Sequence, residues 1–176
     1  LPAAPEEEQA RADLVGSYLA RFGPATETDV AWWTGWAKGV TRSTLARLDL
    51  EETSAGWVLA DDATPSEPAS PCAALLPSLD ATPMGWKERS WFLPEDPSPL
   101  YDAFGNVGPT LWWCGEVVGG WAVRGDGTVV THLLVDRGQE CATAVESAAA
   151  ALEPRLEGAA VVPSFPTPLE RSLRVG

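Results

Sequence analysis

Lys87 and Arg89, set among Trp86, Glu88, Ser90 and Trp91, form the densest pair of positive charges in the chain. Cations beside aromatic rings are the groups that grip phosphate and stack on an unpaired base. The same residues would equally make a loop buttressed by tryptophan, with Lys87 and Arg89 neutralised by acids. Asp80, earlier in the same Pro77–Trp91 stretch, could activate water as a general base; a turn role fits it as well. A second polar group, Thr41, Arg42, Ser43 and Arg47, falls on one short helical stretch, where it would supply donors to phosphates and base edges. Two ordinary arginines on a solvated helix face are the alternative.

Other chemistries find little support. Gly119-Gly120 lacks both the lysine of a phosphate loop and dinucleotide-binding spacing, and close packing or a bulge at a barrel bend accounts for it. His132, Asp136 and Glu140 are not fixed in one place by their spacing, and Cys72, Cys114 and Cys141 have no paired-ligand spacing, so no metal site is expected. The odd number of cysteines argues for buried free thiols in an intracellular chain. No cofactor-binding motif is present, and no catalytic residue is assigned.

The elements that must position these groups can be read from periodicity. Glu6 to Arg21 carries Ala10, Leu14, Val15, Tyr18, Leu19 and Phe22 on one helical stripe, with Gly23-Pro24 as its stop. Thr26 and Asp29 have the spacing of a capping box, opening a helix that buries Val30 and Trp33, with Trp32 as a further candidate, and that Gly35 ends. A third helix runs from Val40 or Thr41 to Leu48, with Val40, Thr44, Leu45 and Leu48 inward and Thr41, Arg42, Ser43 and Arg47 outward. Leu50–Glu52 and Trp57–Leu59 then flank a turn, giving a hairpin. The resulting order matches a winged helix-turn-helix.

Residues 61–71, with their acids and prolines, read as a linker. Beyond them the chain becomes strand-rich. Cys72–Leu76 and Trp91–Leu93 are short strand candidates. Thr110–Cys114, Val117–Val123 and Thr128–Val135 form a meander that must be covered or curl into a barrel. A helix spans about residues 138–152, with Val145, Ala148, Ala149 and Leu152 inward and Pro154 as its breaker. Val161-Val162 suggests a last strand and Pro168 a short terminal helix. Trp112 and Trp113 point to opposite sides of the sheet, so one of them is expected to meet another layer, with interdomain packing favoured. The fold class is therefore α+β: a winged helix-turn-helix over residues 1–60 and an antiparallel β-barrel-like domain with a packed helix over residues 72–176.

Four stretches in order carry a family resemblance: YLARFGPATETDVAWW from Tyr18 to Trp33, LLPSLDATPMGWKERSW from Leu75 to Trp91, GNVGPTLWWCGEVVGGW from Gly105 to Trp121, and PSFPTPLE from Pro163 to Glu170. In these the chain resembles the winged-helix DNA-binding proteins related to the bacterial AlkZ and YcaQ DNA glycosylases, and the resemblance covers nearly all of it. It implies tandem winged helices followed by a barrel-like C-terminal domain, a concave DNA surface, and metal-independent excision of damaged bases. It also implies a glutamine-x-glutamine motif that positions the attacking water. The only glutamines here are Gln9 and Gln139, so the chain corresponds to the C-terminal portion, with no catalytic residue carried over.

The expected function is DNA recognition and scaffolding within a glycosylase-like repair protein. Thr41, Arg42, Ser43, Arg47, Trp86, Lys87 and Arg89 are the DNA contacts, and duplex DNA is held together with the rest of the parent protein. A protein-interaction or structural module, or a non-enzymatic DNA-binding regulator, are the alternatives. The formal charge of −13, from 25 acidic and 12 basic residues, opposes a general phosphate affinity and demands a local exception. The 176 residues, 45% of them hydrophobic and nine of them tryptophan, suffice for one large or two small cores. No apolar run is long enough to span a bilayer. The chain opens on Leu1 with no basic leader, so a truncated cytoplasmic protein without a signal peptide is expected.

Overall fold

The structure, a computed structural model, describes residues 5–62, 70–159 and 163–175. The chain divides into two compact units, the first of which recruits Gly85–Glu88 from later in the sequence.

In the first unit, helix α1 (Glu7–Phe22) buries Ala12, Val15, Tyr18 and Leu19. Glu7 and Glu8 lie in its first turn and Arg21 in its last, each complementing the local end of the helix dipole. Leu14, expected inward, is 43% exposed, because it lies beside the buried stripe rather than on it. Helix α2 (Glu27–Thr34) starts at a complete capping box and ends at Gly35, whose φ of 72° is the left-handed conformation glycine adopts without strain. Val30 is buried, whereas Trp32 and Trp33 are not: the helix is short and only one side meets α1 and its neighbours, although the Trp33 ring still packs 4.9 Å from that of Tyr18. Helix α3 (Lys38–Leu45) begins earlier than periodicity suggested and packs on α1 and α2.

Strands β1 (Leu50–Thr53) and β2 (Gly56–Leu59) form the antiparallel hairpin, with Leu50 opposite Leu59. Trp57 exchanges both backbone hydrogen bonds with Ala25, at 3.0 and 2.8 Å, anchoring the hairpin to the turn before α2. Gly56 permits this approach: its φ is 131°, and a Cβ there would lie 2.5 Å from the Ala25 carbonyl carbon.

In the second unit, β3 (Ala73–Leu76), β4 (Thr110–Trp113), β5 (Glu116–Val123) and β6 (Val129–Leu133) form an antiparallel sheet in that order. A register shift falls between Leu111 and Trp112. Helix α4 (Gly138–Leu152) packs on β3, β4 and β6, and helix α5 (Pro168–Val175) packs on β5 and β6. The main core joins Leu111, Val118, Trp121, Val123 and Val129 to Cys141, Val145 and Ala149 of α4. Successive residues of β5 are buried from Val117 to Val123, as a strand covered on both faces must be.

Several expectations are corrected. The sheet is not a closed barrel: among the described residues β3 and β6 are its edges, and helices rather than further strands cover the apolar surface. Trp91–Leu93 is turn, not strand, since Phe92 and Leu93 both donate to the Arg89 carbonyl, and the Phe92 carbonyl accepts from Val117 of the sheet at 2.8 Å. Trp112 stacks on Phe92 of its own unit, with centroids 5.6 Å apart, and its indole N–H donates to Thr110. Gly119 is a close-packing glycine; a Cβ would lie 2.0 Å from the His132 carbonyl oxygen. Of the three cysteines only Cys141, on the core face of α4, is buried; Cys72 and Cys114 flank the β3–β4 pair and are exposed. Val161-Val162 lies outside the described residues.

Candidate nucleic-acid interface

Helix α3 is a short amphipathic element whose polar side is narrower than its sequence suggested. Thr41, Thr44 and Leu45 are buried, while Arg42, Ser43 and Arg47 are exposed. Thr41 is therefore corrected from the outer face to the core. It lies one turn before Leu45, on the stripe that meets the other helices, and is 0% exposed. The Ser43 hydroxyl donates to the Val40 carbonyl at 3.0 Å and retains its lone pairs on the exposed side.

Each arginine of this face meets an acid within the first unit. Arg42 holds Glu27 in a two-pronged pair, with Nε and Nη2 both 3.1 Å from carboxylate oxygens, which favours its charged form. Arg47 reaches Glu8 at 2.7 Å. These pairs are solvent-exposed and hence weak and readily exchanged for another anion. Beside the Arg42–Glu27 pair a cleft of about 310 Å³ is lined by Glu27, Arg42, Leu45, Ala46, Leu48, Leu50 and Trp57.

Trp86 and Lys87 fall in the first unit and Arg89 in the second. Trp86 is 7% exposed, packs edge-on to Phe22 at 5.3 Å, and donates its indole N–H to the Pro24 carbonyl. This burial corrects the expectation that Trp86 contacts DNA; it is part of the first unit's core. Lys87 is exposed in that unit, held by its backbone rather than its side chain. Arg89 belongs to the second unit, where Nη1 donates to the Pro83 carbonyl at 2.8 Å and to the Tyr101 hydroxyl at 3.3 Å, with the guanidinium 5.2 Å from the Tyr101 ring centre. Asp80 accepts the Thr82 N–H, as in an ordinary turn.

Asp29 organises the 85–88 segment. Its Oδ2 accepts the Thr26 N–H and hydroxyl, and its Oδ1 accepts the N–H groups of Lys87 and Glu88 at 2.9 and 3.0 Å. Burial pushes this carboxyl up, but the hydrogen bonds from Glu88, Thr26 and Lys87 outweigh burial and leave it below the ordinary carboxylate value.

Sequence reasoning missed three features of the chain. Glu170 is 3% exposed, with one carboxylate oxygen lacking a hydrogen-bond partner among the described residues and Arg174 4.0 Å away; the only sequence signal was the four-residue spacing of that pair. Phe104 and Phe165 are exposed and meet edge to face at 5.7 Å; nothing in their spacing joins them. The two glutamines, Gln9 and Gln139, serve their own helices through Asp13 and Thr143. Among the described residues no group of His, Cys, Asp and Glu could hold a metal, and no helix is long and apolar enough to cross a membrane.

A family model described as DNA glycosylase AlkZ-like matches residues 1–160. The solved structure of the Streptomyces sahachiroi DNA glycosylase AlkZ is 25% identical, with a TM-score of 0.76 over 92% of this chain and 47% of that one. The chain thus spans about half the length of that relative. No curated protein matches it. With the match extending through both units, the chain belongs to the AlkZ-like DNA glycosylase family.

Proposed function

We propose that the chain is the DNA-recognition and scaffold portion, at the C-terminal side, of a DNA-glycosylase-like repair protein acting in a bacterial cytoplasm. In this reading residues 1–60 are a winged helix, 61–71 a linker and 72–176 the C-terminal domain. Duplex DNA is held jointly with the rest of the parent protein, and hydrolysis of the base–sugar bond takes place there without a metal. The observation that carries the reading is family membership across residues 1–160, joined to an exposed α3 face bearing Arg42, Ser43 and Arg47.

On this reading α3 supplies backbone grip and register rather than the reacting water. Phosphate oxygens replace Glu27 and Glu8 around Arg42 and Arg47, and Lys87 adds a further charge. No residue of the chain is assigned to catalysis, because Gln9 and Gln139 do not form the family's triplet.

Titrating the full-length protein against duplex DNA at low and high salt tests this. Affinity should fall steeply as salt rises, with a slope reduced by about one for each phosphate-contacting cation replaced by alanine. Absence of binding even at low salt would reject the reading. It would favour a structural or protein-interaction module, to which the net charge of −13 and the Arg42–Glu27 and Arg47–Glu8 pairs lend themselves.

A further inference from the structure

We infer that Phe104 and Phe165, with Arg171 beside them, form a second nucleic-acid site that receives an unstacked base of a distorted duplex on the aromatic pair and a flanking phosphate on the arginine. This rests on the DNA reading above and adds a surface to it.

The aromatic pair is exposed and carried on a braced backbone. Phe104 is 77% exposed and Phe165 65%, and their rings meet at 81°. Such exposure of two large apolar rings together is costly unless something covers them. Phe104 sits on a braced loop: Asp102 accepts the N–H groups of Phe104 and Asn106 and the Asn106 side-chain amide, and its own N–H returns to the Asn106 carbonyl. Gly105, with φ of 83°, turns that loop. Phe165 is followed by Thr167, which is 3% exposed, packs so closely on Gly108 that a Cβ there would lie 2.5 Å from the threonine methyl, and accepts the Glu170 N–H. The backbone that carries each ring is therefore braced before any partner arrives, which limits the entropy lost on binding.

Charge selects the partner. Arg171 is exposed and donates to the Pro166 carbonyl, next to Phe165, through one nitrogen, leaving further guanidinium donors. Arg174, with Arg171, Pro163, Pro166 and Val175, lines a cleft of about 280 Å³. Of the acids nearby, Asp102 accepts the amides of its own loop, and Glu170, a buried residue of α5, faces Arg174 at 4.0 Å and leaves Arg171 to the exposed side. Aromatic faces beside guanidinium groups suit a base and its phosphates, whereas an apolar protein partner would have no use for the cationic rim. Wedging apolar side chains at a distorted step is an established way of gripping a duplex.

The test uses the full-length protein and two duplexes of the same flanking sequence, one fully paired and one carrying a single unpaired 2-aminopurine. Phe104→Ala and Phe165→Ala should each weaken binding of the bulged duplex about tenfold and abolish the change in 2-aminopurine fluorescence, leaving the paired duplex unaffected. Phe165→Trp should restore both signals. Arg171→Ala should weaken both duplexes and reduce the salt slope by about one. Wild-type binding that both alanine variants reproduce overturns this site while leaving the α3 reading intact. Failure of the wild type to bind either duplex at low salt overturns the DNA reading and this site with it. All three residues are exposed, so thermal midpoints like that of the wild type will show that the variants fold.

Discussion

Asp29 Oδ1 accepts the backbone N–H of Lys87 at 2.9 Å across 58 residues of chain. One carboxylate thus caps α2 and fastens the 85–88 segment to the first unit, with Tyr18 donating to the Gly85 carbonyl at 2.8 Å alongside it. Replacing Asp29 by alanine removes the acceptor for four donors. The expected cost is roughly 2–4 kcal/mol, since hydrogen bonds to a charged acceptor are worth more than neutral ones and a cap alone contributes about 1. Urea denaturation measures it. Because the folded carboxyl lies below its ordinary value, its contribution is present above the unfolded value of 3.8 and is lost as pH falls through the folded one. The wild type should therefore lose its advantage over Asp29→Ala in acid, and a difference independent of pH would refute the role.

The two partners of Asp29 also mark how far the sequence could be read. Its pairing with Thr26 was legible, because a capping box is a three-residue spacing. Its pairing with Lys87 and Glu88 was not, because local periodicity carries no information about which distant backbone comes to meet a carboxylate. For the same reason Trp86 could be recognised as adjacent to cations but not as a core residue whose indole finds Pro24. The α4 helix and the hairpin were legible from pattern alone, since each closes its hydrogen bonds within a short span. Whether the meander would curl or be covered depended on α5, whose small size gave no hint that it packs against β5. On α3, the phase of the helix set the limit: a start at Lys38 rather than Val40 or Thr41 goes with Thr41 turning inward.

Arg89 and Arg42 should respond oppositely to removal. Arg89 joins the Pro83 carbonyl to Tyr101 in a half-buried setting, so Arg89→Ala should lower stability by about 1–2 kcal/mol. Arg42 lies on the surface, paired to Glu27, so Arg42→Ala should leave the unfolding transition in place while reducing DNA affinity at low salt. Chemical denaturation and a binding isotherm on each variant check the contrast. An Arg89 variant as stable as the wild type would return that residue to the list of surface cations.

Glu170 should make the second unit less stable as pH rises. Burial pushes its carboxyl above the ordinary value of 4.5, against the lowering influence of the Thr167 N–H and of Arg174. An acid raised in the folded state costs nothing below its unfolded value and destabilises progressively as pH climbs through the interval up to the folded one. A glutamine side chain is isosteric with the protonated form of glutamate, so Glu170→Gln should flatten that slope and raise the thermal midpoint at pH 7 by about 2–4 °C. Midpoints recorded between pH 4 and pH 7 for both proteins decide this; parallel curves would show that Glu170 does not titrate in the way its burial requires.

Gly119 and Gly125 provide a final comparison, because they lie six residues apart in one segment and differ only in what surrounds them. A Cβ on Gly119 would fall 2.0 Å from the His132 carbonyl oxygen and 3.0 Å from the Leu133 Cα, both backbone atoms of the partner strand that cannot swing aside. Gly119→Ala must therefore push β6 away from β5, and because residues on both strands belong to the packed core with α4, the shift is transmitted to that core. The expected loss is about 2–4 kcal/mol, at or above the upper range for overpacking. At Gly125, in the turn that leads to β6, nothing among the described residues lies within 4 Å of the added atom, and Gly125→Ala should change stability by less than about 0.5 kcal/mol. Hydrogen exchange of the β5 and β6 amides distinguishes a local parting of the strands from general unfolding. Fast exchange confined to these two strands in Gly119→Ala is the signature of the backbone collision, and equal stability of the two variants would mean that the strands are not as closely apposed as that contact requires.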